Sequence, residues 1–280
     1  MLASDDKPLL SCNAISVHFG ALAAVNELSF DVWPGEILGV GGPNGAGKTT
    51  LFDVISGFAP ASGGRIVLDG HDITRSAPHR VCHHGLSRTF QLNAAYDSLT
   101  VRENILCASY YGFKNVIFPK FRFDRATRDR ADDAIAFVGL EKFSDTIVGI
   151  LPILQRKLLM LAAAIVRQPK LLLLDEPVGG LNRQEINEIM ELILRFRDEH
   201  KLTIVLIEHV MRFLVALSDR ALIMHHGQKI YEGPASDLAR DKTVVEVYLG
   251  ERMAERLRHE GATTTTTATT ATTATTETNG

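Results

Sequence analysis

The segment that most narrows the fold is Gly42-Pro43-Asn44-Gly45-Ala46-Gly47-Lys48-Thr49, a full match to GxxxxGK[ST] that runs on into Thr50. It follows a short apolar run, Glu36 to Val40, which opens after a Pro34-Gly35 turn. It leads into a helical stretch from about Lys48 to Ser56. In such a strand–loop–helix unit the glycines let successive backbone N–H groups turn inward around phosphate oxygens. The helix brings the positive end of its dipole to the same point. Lys48 is then placed to reach the β- and γ-phosphates of a nucleotide, and the Thr49 hydroxyl to ligate Mg²⁺.

The rest of the chain continues the alternation. Leu10 to Phe19 and Ala24 to Val32 read as strands separated by a Gly20 break, and Ile66 to Leu68 as another. From about Val101 to Val166 strand signals are weak, so the segment reads as mostly helical, with a solvated helix start in Phe121 to Asp133. Strands return at Leu171 to Leu174, Thr203 to Ile207 and Arg220 to Met224. Between the first two, Arg183 to His200 carries Ile186, Ile189, Leu192, Ile193 and Phe196 at helical spacing. The pattern predicts an α/β core around a largely parallel sheet, with a helical subdomain inserted. Residues 262–280 are almost only Thr and Ala, and are expected to form a disordered tail because they cannot bury apolar surface.

The second chemical element is Leu171-Leu172-Leu173-Leu174-Asp175-Glu176. A buried strand ending in two carboxylates delivers them to the carboxyl edge of the sheet, where ligands of open α/β sheets bind. Asp175 is expected to hold the Mg²⁺ shell through water, and Glu176 to act as general base toward an attacking water. Acidic residues at a strand end are common; it is the pairing with the phosphate loop that makes these two informative.

Bulk properties exclude several other classes. A formal net charge of -3 argues against a sequence-independent nucleic-acid binder. Cys12, Cys82 and Cys107 show neither metal-site spacing nor a disulfide framework, which fits a reducing compartment. No apolar run approaches the ~20 residues that cross a bilayer. The richest, Leu158 to Val166, lies between Lys157 and Arg167, and the N-terminus has no signal-peptide pattern. The expectation is a cytosolic chain that reaches any membrane through partners.

Taken in order, these elements resemble an ABC ATPase over residues 9–250, with 251–261 as a C-terminal extension. The resemblance implies a P-loop NTPase (RecA-like) core, an antiparallel β subdomain and an α-helical subdomain at about 92–168, with ATP and Mg²⁺ bound. Phe19 matches the aromatic on which adenine stacks, although a core aromatic is an equal reading of that residue alone. Gln91 matches the glutamine that touches Mg²⁺ and the attacking water and senses the transmembrane partner. Gly180-Leu181-Asn182 matches the loop that crosses to a facing subunit, and His209 the switch histidine at the γ-phosphate. Four further stretches are similar to ATP-binding subunits of branched-chain amino acid importers: Gly85 to Gln91, Leu99 to Asn104, Pro169 to Pro177 and Val247 to Gly250.

One stretch departs from the family pattern. Where ABC ATPases carry Leu-Ser-Gly-Gly-Gln, this chain has Leu151-Pro152-Ile153-Leu154-Gln155. In the family this segment closes over the γ-phosphate held by the other subunit. Pro152 offers neither hydroxyl nor N–H, and Leu154 is expected to put a branched side chain where backbone must approach phosphate. Proline in a first helical turn is tolerated, so the helix itself should survive. A lost hydrogen bond to a charged group is worth ~1.5–3 kcal/mol, and a lost transition-state donor on the order of 10²–10³ in rate.

The expectation is therefore asymmetric. This chain's Lys48, Thr49, Asp175, Glu176 and His209 form a competent half-site that borrows an intact signature from a different subunit, while the reciprocal site is slow. If Gln155 and the helix dipole suffice, both sites turn over instead. The leading function is an ATPase that powers an importer. It would sit at the inner face of the plasma membrane with integral-membrane permeases, a second ABC ATPase and, indirectly, a solute-binding protein. The coupling surface would include Gln91 and Leu92 to Leu99, with Tyr96 as a contact. Alternatives are an exporter ATPase, a soluble ABC protein acting on nucleic acid or ribosomes, and a regulatory ATP-binding subunit.

Overall fold

The structure, a computed structural model, describes residues 7–89, 95–113, 123–248 and 250. Gln91, Leu92 to Ala94 and residues 251–280 lie outside the described residues, so the expectations for them are not addressed by it.

The chain opens with β1 (Leu10–Phe19) and β2 (Leu22–Val32), followed by β3 (Ile37–Gly41) and helix α1 (Lys48–Ile55). Next come β4 (Gly63–Leu68), β5 (His71–Asp72), α2 (Pro78–His83) and β6 (Leu86–Arg88). Three helices, α3 (Val101–Phe113), α4 (Arg125–Phe137) and α5 (Ile153–Ile165), precede β7 (Leu171–Asp175). The remainder is α6 (Arg183–His200), β8 (Thr203–Ile207), α7 (Met211–Leu217), β9 (Arg220–His225) and β10 (Gln228–Pro234).

The strands form two sheets. One is antiparallel in the order β2-β1-β4-β5; the other runs β10-β9-β3-β8-β7-β6 and is parallel except for its β9–β10 pair. Successive side chains of a strand point to opposite faces, and the central strands are apolar on both. Ile37, Leu172, Leu174, Ile204 and Leu206 face α5, α6 and the helical insert. Leu38, Val40, Leu171, Leu173, Val205 and Ile207 face α1 and the antiparallel sheet. Such two-sided burial explains the near-continuous Leu/Ile/Val runs.

The strands that the sequence reading missed are on edges. β6 has only three residues and β10, Gln228–Pro234, is half-exposed and polar, so neither carries an apolar run. Helix α4 starts at Arg125, later than the Phe121 start read from composition, because the Asp124 side chain accepts the Thr127 N–H at 2.8 Å and caps it. Helix α6 matches its expected span; Asn182 and Glu185 close a reciprocal capping box at its start.

The helical insert is fastened to the core by aromatics. Phe137 at the end of α4 stacks on the fully buried Phe196 of α6, with ring centroids 5.4 Å apart and planes 18° from parallel. Phe196→Ala is expected to cost about 3–5 kcal/mol, measurable as a lowered midpoint in urea denaturation.

Candidate functional site

The phosphate loop is held from three sides. Gly47 adopts φ 100°, and a Cβ there would lie 2.1 Å from the Ala24 carbonyl oxygen of β2, so only glycine fits. The turn after β9 reaches the loop through Gly227, whose N–H donates to the Ala46 carbonyl at 3.0 Å. From the far end of the chain, the Tyr248 hydroxyl accepts the Gly42 N–H at 2.8 Å. Pro43 is half-buried and Asn44 and Gly45 are exposed at the mouth. Lys48 is buried, its ammonium donating to the carbonyls of Gly42 at 2.7 Å and Pro43 at 2.8 Å. Thr49 is exposed and Thr50 half-buried in the first turn of α1.

The two strand ends beside the loop carry the acidic pair and the histidine. The parallel register sets Asp175 of β7 opposite Ile207 of β8, and the Glu176 N–H continues the ladder to the Ile207 carbonyl at 3.1 Å. Two residues beyond Ile207, His209 Nδ1 lies 3.8 Å from Glu176 Oε1, and both side chains are open to solvent. Glu176 has φ 48°, a left-handed conformation that costs a residue with a Cβ energy and is concentrated at functional sites. Burial pushes the Asp175 carboxyl above the usual range, and the nearby Arg88 guanidinium pulls it back. Phe19 is 58% exposed at the β1–β2 hairpin, so it is not a core aromatic.

The donors suit a nucleotide-bound Mg²⁺. Mg²⁺ keeps several waters and takes one or two protein oxygens plus phosphates. One hydroxyl, Thr49, and one carboxylate, Asp175, meet that demand, while no group of three His, Cys, Asp or Glu among the described residues could cage an ion by itself. Gln91, the third expected ligand, lies outside the described residues.

The signature segment needs a correction. Helix α5 starts at Ile153 with Pro152 as its N-cap, so the helix survives as expected. Leu154, however, is buried in the hydrophobic core and obstructs no approach. Each helical residue turns the side chain by about 100°, so the exposed intruder is its neighbour Ile153, at 45%, beside Ile150 at 77%.

Sequence reasoning also missed three charged groups behind the site. Arg88 bridges Asp175 to α1. Lys157 of α5 donates to the Glu176 carbonyl at 3.1 Å, and burial pulls its ammonium pKa down. Glu208 is wholly buried; Oε1 accepts the Val178 N–H at 3.4 Å, while Oε2 has no hydrogen bond among the described residues. The only signals in the sequence were charges flanking known motifs, and flanking charges are usually solvated.

Burial raises the Glu208 carboxyl above its ordinary value. A carboxyl with a raised folded pKa favours the protonated native state, so its ionisation drains stability as pH rises from the unfolded value of about 4.3 through the folded one. Glu208→Gln is therefore expected to raise Tm at pH 8. The difference from the wild type should vanish near pH 4, which calorimetry at the two pH values would show.

Comparison with known proteins agrees with this geometry. Residues 25–179 match the ABC transporter family. The chain is 35% identical over 252 residues to the high-affinity branched-chain amino acid transport ATP-binding protein LivG of Escherichia coli K12, covering 88% of this chain and 99% of that one. It is 33% identical over the same length to BraF of Pseudomonas aeruginosa, described in the same words, again covering 88% and 99%. Among solved structures, the ADP conformation of MJ1267, an ATP-binding cassette of an ABC transporter, superposes with a TM-score of 0.79 at 30% identity, covering 88% of this chain and 100% of that one. The chain belongs to the ABC transporter family, as an ATP-binding subunit that hydrolyses ATP to drive transport.

Proposed function

We propose that this chain powers import of branched-chain amino acids or a related small organic solute, as one half of an ATPase heterodimer on the inner face of the plasma membrane. The end-to-end likeness to branched-chain amino acid transport ATPases carries the solute class. ATP would stack its adenine on Phe19 and lay its phosphates along Gly42 to Thr50, with Lys48 at the β- and γ-phosphates. Mg²⁺ held by Thr49, Gln91 and Asp175 would neutralise phosphate charge. Glu176 accepts the proton of the attacking water, and His209, beside it, holds the γ-phosphate. The role of Gln91 rests on the resemblance of its motif alone.

A groove of about 530 Å³ suits a permease segment. It is lined by Phe58, Tyr96 and Tyr111, all exposed, with Arg88 and Thr89 beside them. Tyr96 lies within the segment expected to couple to the membrane subunits.

The heterodimer reading rests on what the start of α5 displays. Ile150, Pro152 and Ile153 are exposed where the family presents a hydroxyl and glycine backbone. An apolar, donor-poor surface is a poor lid for a γ-phosphate, since lost donors to charge are not replaced. The partner would supply the intact signature to this chain's nucleotide.

Glu176→Gln should bind ATP as the wild type does, yet lose at least about 100-fold in turnover when the transporter is assembled, the scale of a missing general base. Light scattering on the purified variant with Mg-ATP should show a monomer. A stable ATP-dependent homodimer would sink the heterodimer reading.

A further inference from the structure

Arg88 ends the edge strand β6, yet its side chain is only 6% exposed. Nη1 donates to Asp53 Oδ1 at 2.6 Å and to Ser56 Oγ at 3.1 Å, while Nη2 donates to Asp175 Oδ2 at 3.0 Å. The guanidinium carbon also lies 5.6 Å from the Phe52 ring centroid. Asp53 belongs to α1 and Ser56 is its C-cap; this helix begins at Lys48 and Thr49. One buried cation thus ties the helix that leaves the phosphate loop to the carboxylate at the end of β7.

Taking a guanidinium out of water is costly unless its donors are met by charge and hydrogen bonds. Here two carboxylates on different elements meet it, one on each η nitrogen. The planar fork of arginine supplies two donors at fixed separation, which the single ammonium of lysine does not. Its hold on Asp175 is through Oδ2 alone; Oδ1 accepts no hydrogen bond from the described residues.

We propose that Arg88 is a positioning residue for the Mg²⁺ site, fixing the Asp175 carboxylate relative to α1, the helix that carries Thr49. The inference rests on the reading of Asp175 as the carboxylate that serves Mg²⁺. Groups that orient a metal's ligands typically change metal affinity by about 10–100-fold when removed. Arg88→Met keeps an unbranched side chain in the buried position while deleting both bridges.

The test is titration of the full chain with a fluorescent ADP, by anisotropy, in EDTA and across a Mg²⁺ series. Arg88→Met should bind metal-free ADP within about twofold of the wild type, and should need about tenfold more Mg²⁺ to reach the same tightening. Arg88→Lys, which can serve one carboxylate at a time, should fall between the two. Wild-type Mg²⁺ dependence in Arg88→Met would overturn the proposal. So would an equal loss of metal-free and Mg²⁺-bound affinity, the mark of a merely structural role. If circular dichroism shows that Arg88→Met is unfolded, Asp53→Asn takes its place. Severalfold weaker Mg²⁺ dependence there supports the proposal, and unchanged dependence overturns it. Asp175→Asn separates the two readings: if it keeps the full Mg²⁺ dependence, the assignment of Asp175 fails, whatever Arg88 does.

Discussion

Strands β3, β8 and β7 are hydrogen-bonded in parallel, with Val40 opposite Ile207 and Ile207 opposite Asp175. Because parallel strands point the same way, every residue that follows them emerges on one edge of the sheet. The phosphate loop leaves β3, the acidic pair closes β7, and His209 follows β8 at that same edge. A slip of one residue in either pairing would exchange the two packed faces and move Glu176 away from His209. The two-sided apolar runs of Leu171 to Leu174 and Thr203 to Ile207 make such a slip costly, since both faces of these strands are packed. The core and the site are thus fixed by one register.

Just behind that edge, the charged groups are buried, and their arrangement is economical. Arg88 lies between Asp53 and Asp175, so a cation shields two anions that would otherwise repel each other. Lys157 engages the backbone of Glu176, not its side chain, which leaves the carboxylate open to solvent while restraining the left-handed turn beneath it. Glu208 is a buried acid whose Oε2, 3.8 Å from His209 Nδ1, accepts no hydrogen bond among the described residues, a local cost that packing of the surrounding strands must offset. Arg88, through Asp53, and Lys157 thus tie the site to helices α1 and α5.

The start of α5 shows how helical geometry can change the meaning of a substitution. The linear pattern makes Leu154 the obstruction; on the helix it is buried in the core with Leu151 and Leu158. Ile153 and Ile150 take the outward positions instead. The altered signature therefore differs from its family pattern chiefly by an exposed apolar surface and a missing donor at Pro152, with the helix and its dipole intact.

Several features were legible in the sequence because local rules set them. The glycines and lysine of the loop, the buried runs before Asp175 and His209, the span of α6 and the order of strands and helices each follow from patterns within a few residues. Edge strands β6 and β10 were not legible, since short, half-exposed strands carry no apolar signature. Nor were Arg88, Lys157, Glu208 and Tyr248, whose partners lie from 19 to 206 residues away or whose burial depends on elements packed over them. By itself the sequence determined the fold class and the phosphate-loop motif, because backbone periodicity and phosphate-loop chemistry are local. Only the tertiary structure decided which charges are buried, what they hold and which side of α5 meets solvent, because those depend on long-range contacts that no local window contains.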